Sequence, residues 1–354
     1  MYYYVLIFLS FISFSLQNLP VKKRRLYILA NSYIFFILIF FVSCFRFGVG
    51  TDFFSYSDIF KYNYSTEPLF YGLIQGIKYL GGNYQFFVAF IFIISFGLKL
   101  YVFQKLSYEK GLFLCIMLFC SFYYIAYDIN AIRQGLALSL TLLACYYAYK
   151  RNKYRYYATC LVAILIHYTA FVFLPFYMLL NLNISKKNTI IIVLLSVFLS
   201  RLGIFHLLID LVTNLLGNSL IALRIQNYSN SENFDNNLLF TFSTIRRILF
   251  FLLILFTYEK ISAPDRMKKI IFCGGFISII IYLLFSEVGY FSVRLSAYYR
   301  IIECFWLSYF PFVFKNRNTR IIIAIFFIFY SLLQVSSALS TANNNLLPIQ
   351  TIFF

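Results

Sequence analysis

Charge is scarce in this sequence, and acid is scarcest of all. Only 12% of its 354 residues are charged, with 12 Asp and Glu set against 30 Lys and Arg. A soluble domain carries about 25% charged residues, and no polar stretch here is long enough to form one. There are 2 histidines, 1 tryptophan and 6 prolines. So few acids and imidazoles argue against a dedicated metal site or a chain of carboxylates relaying cations. No cofactor is called for. The G-x-x-x-x-G-K phosphate loop, the H-E-x-x-H zinc helix and the G-x-S-x-G nucleophile elbow are all absent, which argues against a nucleotide-driven pump and the corresponding hydrolases. The 7 cysteines form no C-x-x-C pair and sit mostly within apolar runs, as small membrane-buried side chains do.

What the chain has instead is apolar length. It is 62% hydrophobic, with a mean hydropathy of +0.80. Apolar runs fall at about 2–16, 26–45, 84–104, 111–127, 132–149, 156–181, 189–209, 238–257, 270–286, 301–314 and 321–338, most of them long enough to cross a hydrocarbon core as a helix. A spanning backbone must satisfy its own hydrogen bonds, so helices or a closed barrel are the choices. Runs such as Ile321–Phe327 do not alternate apolar with polar residues, which excludes barrel strands. The expectation is an all-α polytopic membrane protein of about eleven transmembrane helices, forming a single domain over 1–354. The first run has no basic residues before it and no clear small-residue cleavage site, so it reads as a retained span rather than a signal peptide. The net charge of +18 is divided into short clusters between spans, the pattern of a membrane protein's cytoplasmic loops and not of a nucleic-acid-binding domain.

The basic clusters are Lys22–Arg25, Lys99/Lys105/Lys110, Lys150–Arg155, Lys186/Lys187, Lys260–Lys269 and Lys315–Arg320. All can face the cytoplasm only if the run 156–181 enters and returns on the same side. His167 near its middle and Pro175 after it suggest a broken or re-entrant helix, and irregular backbone at membrane depth must line protein or a wet cavity. On this topology the outer face carries 46–83, 128–132, 210–237 and 287–300. Within the first, Glu67–Leu80 reads as a short amphipathic helix that Pro68 starts. The polar stretch 227–237 reads as a loop.

Ionisable groups at the membrane edge are costly and therefore candidate functional residues. On the outer side these are Arg46, Asp52, Asp128, Arg133, His167, Arg224, Arg246, Arg247, Glu287, Arg294 and Arg300. Arginine dominates, and guanidinium stays charged and grips phosphate oxygens in pairs. A phosphate or pyrophosphate ligand fits that set. Arg46 and Asp52 flank Gly48 and Gly50, a turn that lets backbone approach a substrate or simply caps a span with a salt bridge. Arg133 opens a span as an anion contact or a snorkelling cation. His167 is either a general base or a helix-packing histidine, while His206 within a plain apolar helix reads as structural. Arg294 and Arg300 bracket Ser296, Tyr298 and Tyr299; Arg246 and Arg247 are weaker candidates.

Several pieces together resemble the EpsG-like branch of bacterial polysaccharide polymerases, which is related to the Wzy O-antigen polymerases. They are Arg46…Gly50-Thr51-Asp52…Tyr56, Glu67-Pro68-Leu69-Phe70, Ile132-Arg133-Gln134-Gly135-Leu136-Ala137, Ile166-His167-Tyr168-Thr169-Ala170 and, more loosely, Arg294…Tyr298/Tyr299. The region 200–285 carries little of the likeness. The resemblance implies a GT-C-like glycosyltransferase of the bacterial inner membrane. It would move a growing glycan from undecaprenyl pyrophosphate to the next lipid-linked repeat unit at the outer face, without a nucleotide sugar. With the outer-face charges, this makes His167, Asp52 and Arg133 the expected catalytic residues, and Arg46, Arg294, Arg300, Tyr56 and Arg224 the expected substrate contacts. Expected partners are the lipid-linked oligosaccharide, the bilayer, a flippase and a chain-length regulator, with no nucleic acid. The alternatives are a polysaccharide flippase, which would need polar groups in the cytoplasmic half of its spans as well, and an O-antigen ligase, which would be expected to carry a larger outer loop.

Overall fold

The computed structural model describes residues 2–17, 24–202, 210, 211, 213–215, 217 and 241–341. The described chain is helical throughout, without strands. Among the described residues, five helices are long and apolar enough to cross a membrane: Leu26–Phe45, Tyr84–Leu106, Glu109–Asn130, Asp265–Leu284 and Arg317–Ser340. They match five of the apolar runs. Where they are described, the other runs form shorter or less apolar helices, or are interrupted, so the expected number of long crossings is not reached among the described residues. The chain is a multi-pass membrane protein.

By contacts the chain gathers into two compact units. Unit 1 is Met1–Leu174 with Ile261–Ala263 and Cys304–Phe354; unit 2 is Pro175–Lys260 with Pro264–Glu303.

Unit 1 contains α1 (Tyr2–Gln17), α2 (Arg24–Phe45), α3 (Phe53–Tyr62), α4 (Pro68–Tyr79) and α5 (Tyr84–Leu106). It continues with α6 (Leu112–Leu118), α7 (Ile132–Tyr149) and α8 (Lys153–Ile166). The centre of the unit is the segment that starts as α6 and continues as a π-helix over Phe119–Asn130. Its window is 89% buried, against 35% for Leu26–Phe45, because α1, α5, α7 and the helix Arg317–Thr341 pack around it. The apolar run 111–127 reads as a plain span; the wider winding shows itself in the Ala131 N–H, which donates to the Ala126 carbonyl five residues back.

Local chemistry starts and stops these helices. Asn83 caps α5 by accepting the Phe86 N–H, and Asn152 caps α8 by accepting the Arg155 N–H, each satisfying an otherwise orphaned donor. Pro68 opens α4, where its missing N–H costs nothing. The helix then buries Phe70, Ile74 and Ile77, a spacing that puts all three on one face. Gly135 has no Cβ because α7 runs against the Tyr127 carbonyl, which a methyl group would strike. Farther along, the Ser308 hydroxyl accepts the Tyr108 N–H and the Tyr309 hydroxyl donates to the Leu106 carbonyl. These bonds pin α14 (Glu303–Tyr309) to the α5–α6 turn, and α15 (Arg317–Thr341) closes the unit.

Lys99 is not part of a basic loop between spans. It lies inside α5, fully buried, and its Nζ is 2.6 Å from Asp128 Oδ1. A charge count assigns any lysine near a span end to the adjoining loop; here the ion pair keeps the ammonium inside.

In unit 2, α9 (Phe176–Leu179), α10 (Lys186–Arg201), α11 (Phe242–Thr257), α12 (Asp265–Leu284) and α13 (Gly289–Arg300) pack together. α12 is the hub, in contact with α10, α11 and α13. Polar contacts cross its faces: the Ser200 and Ser286 hydroxyls are 2.8 Å apart, and the Ser292 hydroxyl donates to the Tyr282 carbonyl at 2.7 Å.

Candidate functional site

The expected break in the run 156–181 is present. α8 stops at Ile166, His167 is extended at φ −152° and ψ 113°, and a 3-10 turn continues the chain over Tyr168–Phe173. The Tyr156 hydroxyl donates to the Phe173 carbonyl and folds the turn back onto α8. His167 thereby sits at an interruption, buried at 5% exposure.

Its partner is Glu67, the residue before α4. His167 Nδ1 is 3.0 Å from Glu67 Oε1, and Arg133 Nη1 donates to Glu67 Oε2 at 2.7 Å. One carboxylate thus joins the α3–α4 connection, the first turn of α7 and the end of α8. Burial pushes the Glu67 carboxyl up, but the hydrogen bond with His167 and the charges of Arg133 and His167 outweigh it, holding the group at about 2. An ionised carboxylate only accepts hydrogen bonds, so the His167 Nδ1 carries the proton it donates. In the neutral ring Nε2 is then the basic nitrogen. The arrangement fixes the orientation and tautomer of an imidazole and offers a counter-charge to its protonated form, the role a carboxylate plays toward histidine in hydrolytic triads.

Arg133 is the most open member, its side chain 17% exposed against 3% for Glu67. Its guanidinium carbon lies 6.0 Å from the Tyr56 ring centre and 5.9 Å from that of Phe70. Tyr56, on α3, is therefore part of the same cluster.

The remaining unit 1 candidates lie on the frame around this cluster. Gly48 and Gly50 adopt φ of 65° and 110°, a region that favours glycine. The close approach Gly50 permits is to the protein itself, since a Cβ there would sit 2.7 Å from Asn130 Oδ1. Arg46 is 1% exposed and donates to the carbonyls of Ser43 and Ile129, at 2.8 and 2.9 Å. Its hydrogen bonds go to backbone oxygens and not to Asp52. Asp52 stands before α3 and accepts the Thr51 hydroxyl at 3.1 Å.

Unit 2 holds Arg294 and Arg300, both on α13. Arg294 is half-buried. Arg300 is 5% exposed, with Nε 3.3 Å from Glu303 Oε1. Arg300 and Glu303 line a small cavity of about 30 Å³ with Arg247, Phe251, Ser278 and Tyr282. The Arg247 guanidinium is stacked 4.0 Å from the Tyr282 ring centre. Arg224, His206 and the stretch 227–237 lie outside the described residues. Among the described residues no group of three or more His, Cys, Asp or Glu side chains gathers to hold a metal ion.

A family model, the EpsG family, matches residues 29–351. The chain belongs to the EpsG family. EpsG proteins are polysaccharide polymerase-like membrane proteins, so this chain is a polysaccharide-biosynthesis membrane protein of glycosyltransferase-like type. Comparison with curated proteins and with solved structures finds no match. The matched span includes Glu67, Arg133 and His167. Sequence reasoning named the last two as site residues and missed the first, although Glu67 opens the Glu67-Pro68-Leu69-Phe70 motif. The available signal was its rarity: one of 12 acids in the whole chain, immediately before a helix-starting proline.

Proposed function

We propose that this EpsG-family protein is a polysaccharide repeat-unit polymerase. It would transfer the growing glycan from undecaprenyl pyrophosphate to a hydroxyl of the next lipid-linked unit, at the outer face of the bacterial inner membrane. The observation that carries the reading is the buried Glu67–Arg133–His167 cluster, whose members come from segments 66 and 100 residues apart. Family membership supports it.

In this reading the His167 Nε2 takes the proton of the acceptor hydroxyl. The hydroxyl oxygen attacks the anomeric carbon of the donor sugar, whose bond to the pyrophosphate oxygen breaks, and undecaprenyl pyrophosphate leaves. Glu67 orients the ring and stabilises the imidazolium. Arg133 faces the leaving group, where a preorganised cation acts on charge that develops in the transition state. Tyr56 flanks it, Asp52 positions a hydroxyl, Arg46 braces the turn, and Arg294, Arg300 and Arg224 contact substrate. The enzyme would be of GT-C-like type, working beside a flippase and a chain-length regulator.

The test is complementation of a gene deletion, read on a polysaccharide gel at matched protein level. Glu67→Gln, Arg133→Ala and His167→Ala are each expected to leave material one repeat unit long. Normal chain length in Arg133→Ala or His167→Ala would sink the assignment. Loss of all surface polysaccharide on deletion, rather than a single-repeat band, would favour the flippase alternative.

A further inference from the structure

Unit 1 holds a second buried ion cluster, separate from Glu67, Arg133 and His167. Lys99 Nζ on α5 donates to Asp128 Oδ1 at 2.6 Å and to the Ser95 hydroxyl at 2.8 Å. Ser95 Oγ in turn donates to the same Asp128 oxygen at 2.8 Å. The Lys99 and Asp128 side chains are 1% and 2% exposed. Two charges this deep in a membrane protein are expensive to keep, so packing alone does not account for them.

The residues next to Asp128 in the chain give these charges a use. Ile129 offers its carbonyl to Arg46, and Asn130 Oδ1 accepts the Thr51 N–H at 3.1 Å. Ala131 then accepts the Gly135 N–H at 2.8 Å in the first turn of α7, the turn that carries Arg133. Gly50 presses on Asn130, and Gly135 on the Tyr127 carbonyl. The six residues from Asp128 to Arg133 are thus fixed at one end by a carboxylate anchored to α5, and at the other by the Arg133–Glu67 pair. A rigid support shell of this kind is what holds a reacting constellation within a fraction of an ångström.

We propose that Lys99 and Asp128, bridged by Ser95, are positioning residues that set the turn 128–132 and through it the Arg133 guanidinium. The activity part of the inference rests on the polymerase reading; the structural part does not.

Four variants test it: Lys99→Met, Asp128→Leu, the double replacement and Ser95→Ala. Either single change leaves one buried charge unpaired and is expected to lower the thermal midpoint in detergent. The double variant buries no charge and is expected to recover that midpoint. It should nevertheless turn over lipid-linked substrate about 10²-fold more slowly, with kcat reduced and KM little changed. Amide hydrogen exchange should quicken over 128–135 and 49–53 while staying unchanged over 265–284. A double variant with both wild-type exchange over 128–135 and wild-type kcat would overturn the proposal. Ser95→Ala removes only the bridging hydroxyl and keeps both charges paired, so it covers a double variant that fails to fold. Faster exchange over 128–135 in Ser95→Ala supports the inference, and exchange equal to wild type refutes it. Because exchange is read without substrate, failure of the polymerase reading and failure of this one are distinguishable.

Discussion

Two ion clusters are buried in the same unit, and they are built on different plans. Lys99 and Asp128 form a closed pair: one charge of each sign, both almost fully buried, on neighbouring spans. Glu67, Arg133 and His167 form an open one. Here a single carboxylate is shared by a guanidinium and an imidazole, and the guanidinium side chain remains 17% exposed. A closed pair can do little beyond holding its helices in register. An open cluster has an ionisable group in excess and one member in reach of a ligand, which is what proton transfer and anion contact require. The contrast teaches that burial of charge does not by itself mark a catalytic site; stoichiometry and residual exposure do.

The sharpest way to break the contrast is to remove one cation from each cluster and compare stability. Lys99→Met leaves Asp128 buried with only Ser95 beside it. Breaking such a pair costs about 3–5 kcal/mol. Arg133→Met leaves Glu67 with His167 still 3.0 Å away, and it removes a partly exposed cation. Its stability loss should therefore be clearly smaller, while its activity loss should be the more complete. Thermal unfolding in detergent, paired with gel analysis of polymer length, reads both. Equal stability losses would erase the distinction between a closed and an open cluster.

Much of this was legible in the sequence, for physical reasons that also mark where legibility stopped. The interruption at His167 came from a conflict between charge and topology: basic residues on both flanks of one apolar run, with a histidine in its middle. The helix beginning at Pro68 came from proline geometry and the amphipathic character of Glu67–Leu80. Lys99 was misassigned because hydropathy and charge rules read windows of neighbouring residues. Its partner is 29 residues away, and nothing local announces it. Glu67 was overlooked as a site residue for the same reason, since its meaning lies in residues 66 and 100 positions distant. The π-winding of 119–130 leaves no hydrophobic period in a segment that is buried on almost every side.

A smaller effect is expected with pH. Glu67 is held at about 2, below the 4.5 of a free glutamate. Between those values the unfolded chain binds a proton that the native cluster refuses, so stability rises with pH there. The contribution of Glu67 is therefore complete above about pH 4.5 and is lost as pH falls toward 2. The measurement is the thermal midpoint of wild type and Glu67→Gln from pH 7 to pH 3. The gap between them should not narrow above about pH 5 and should close below it. A gap that narrows between pH 7 and pH 5 instead would mean that Glu67 is not the ionised centre of the open cluster.

The smallest effect is expected where the same chemistry meets solvent. In unit 2, Lys186 Nζ approaches Glu259 Oε2 at 2.6 Å, as close as Lys99 approaches Asp128. Hydrogen bonds from Lys186 and Tyr258 hold the Glu259 carboxyl below its ordinary range. Yet the two side chains are 40% and 56% exposed, so water and salt screen the pair and ordering two long side chains offsets what attraction remains. Lys186→Ala should change stability by less than about 1 kcal/mol, and that small change should shrink further as salt rises toward 1 M. A loss comparable to that of Lys99→Met would mean that distance, not burial, governs the strength of ion pairs in this protein, and the contrast between its clusters would have to be drawn on other grounds.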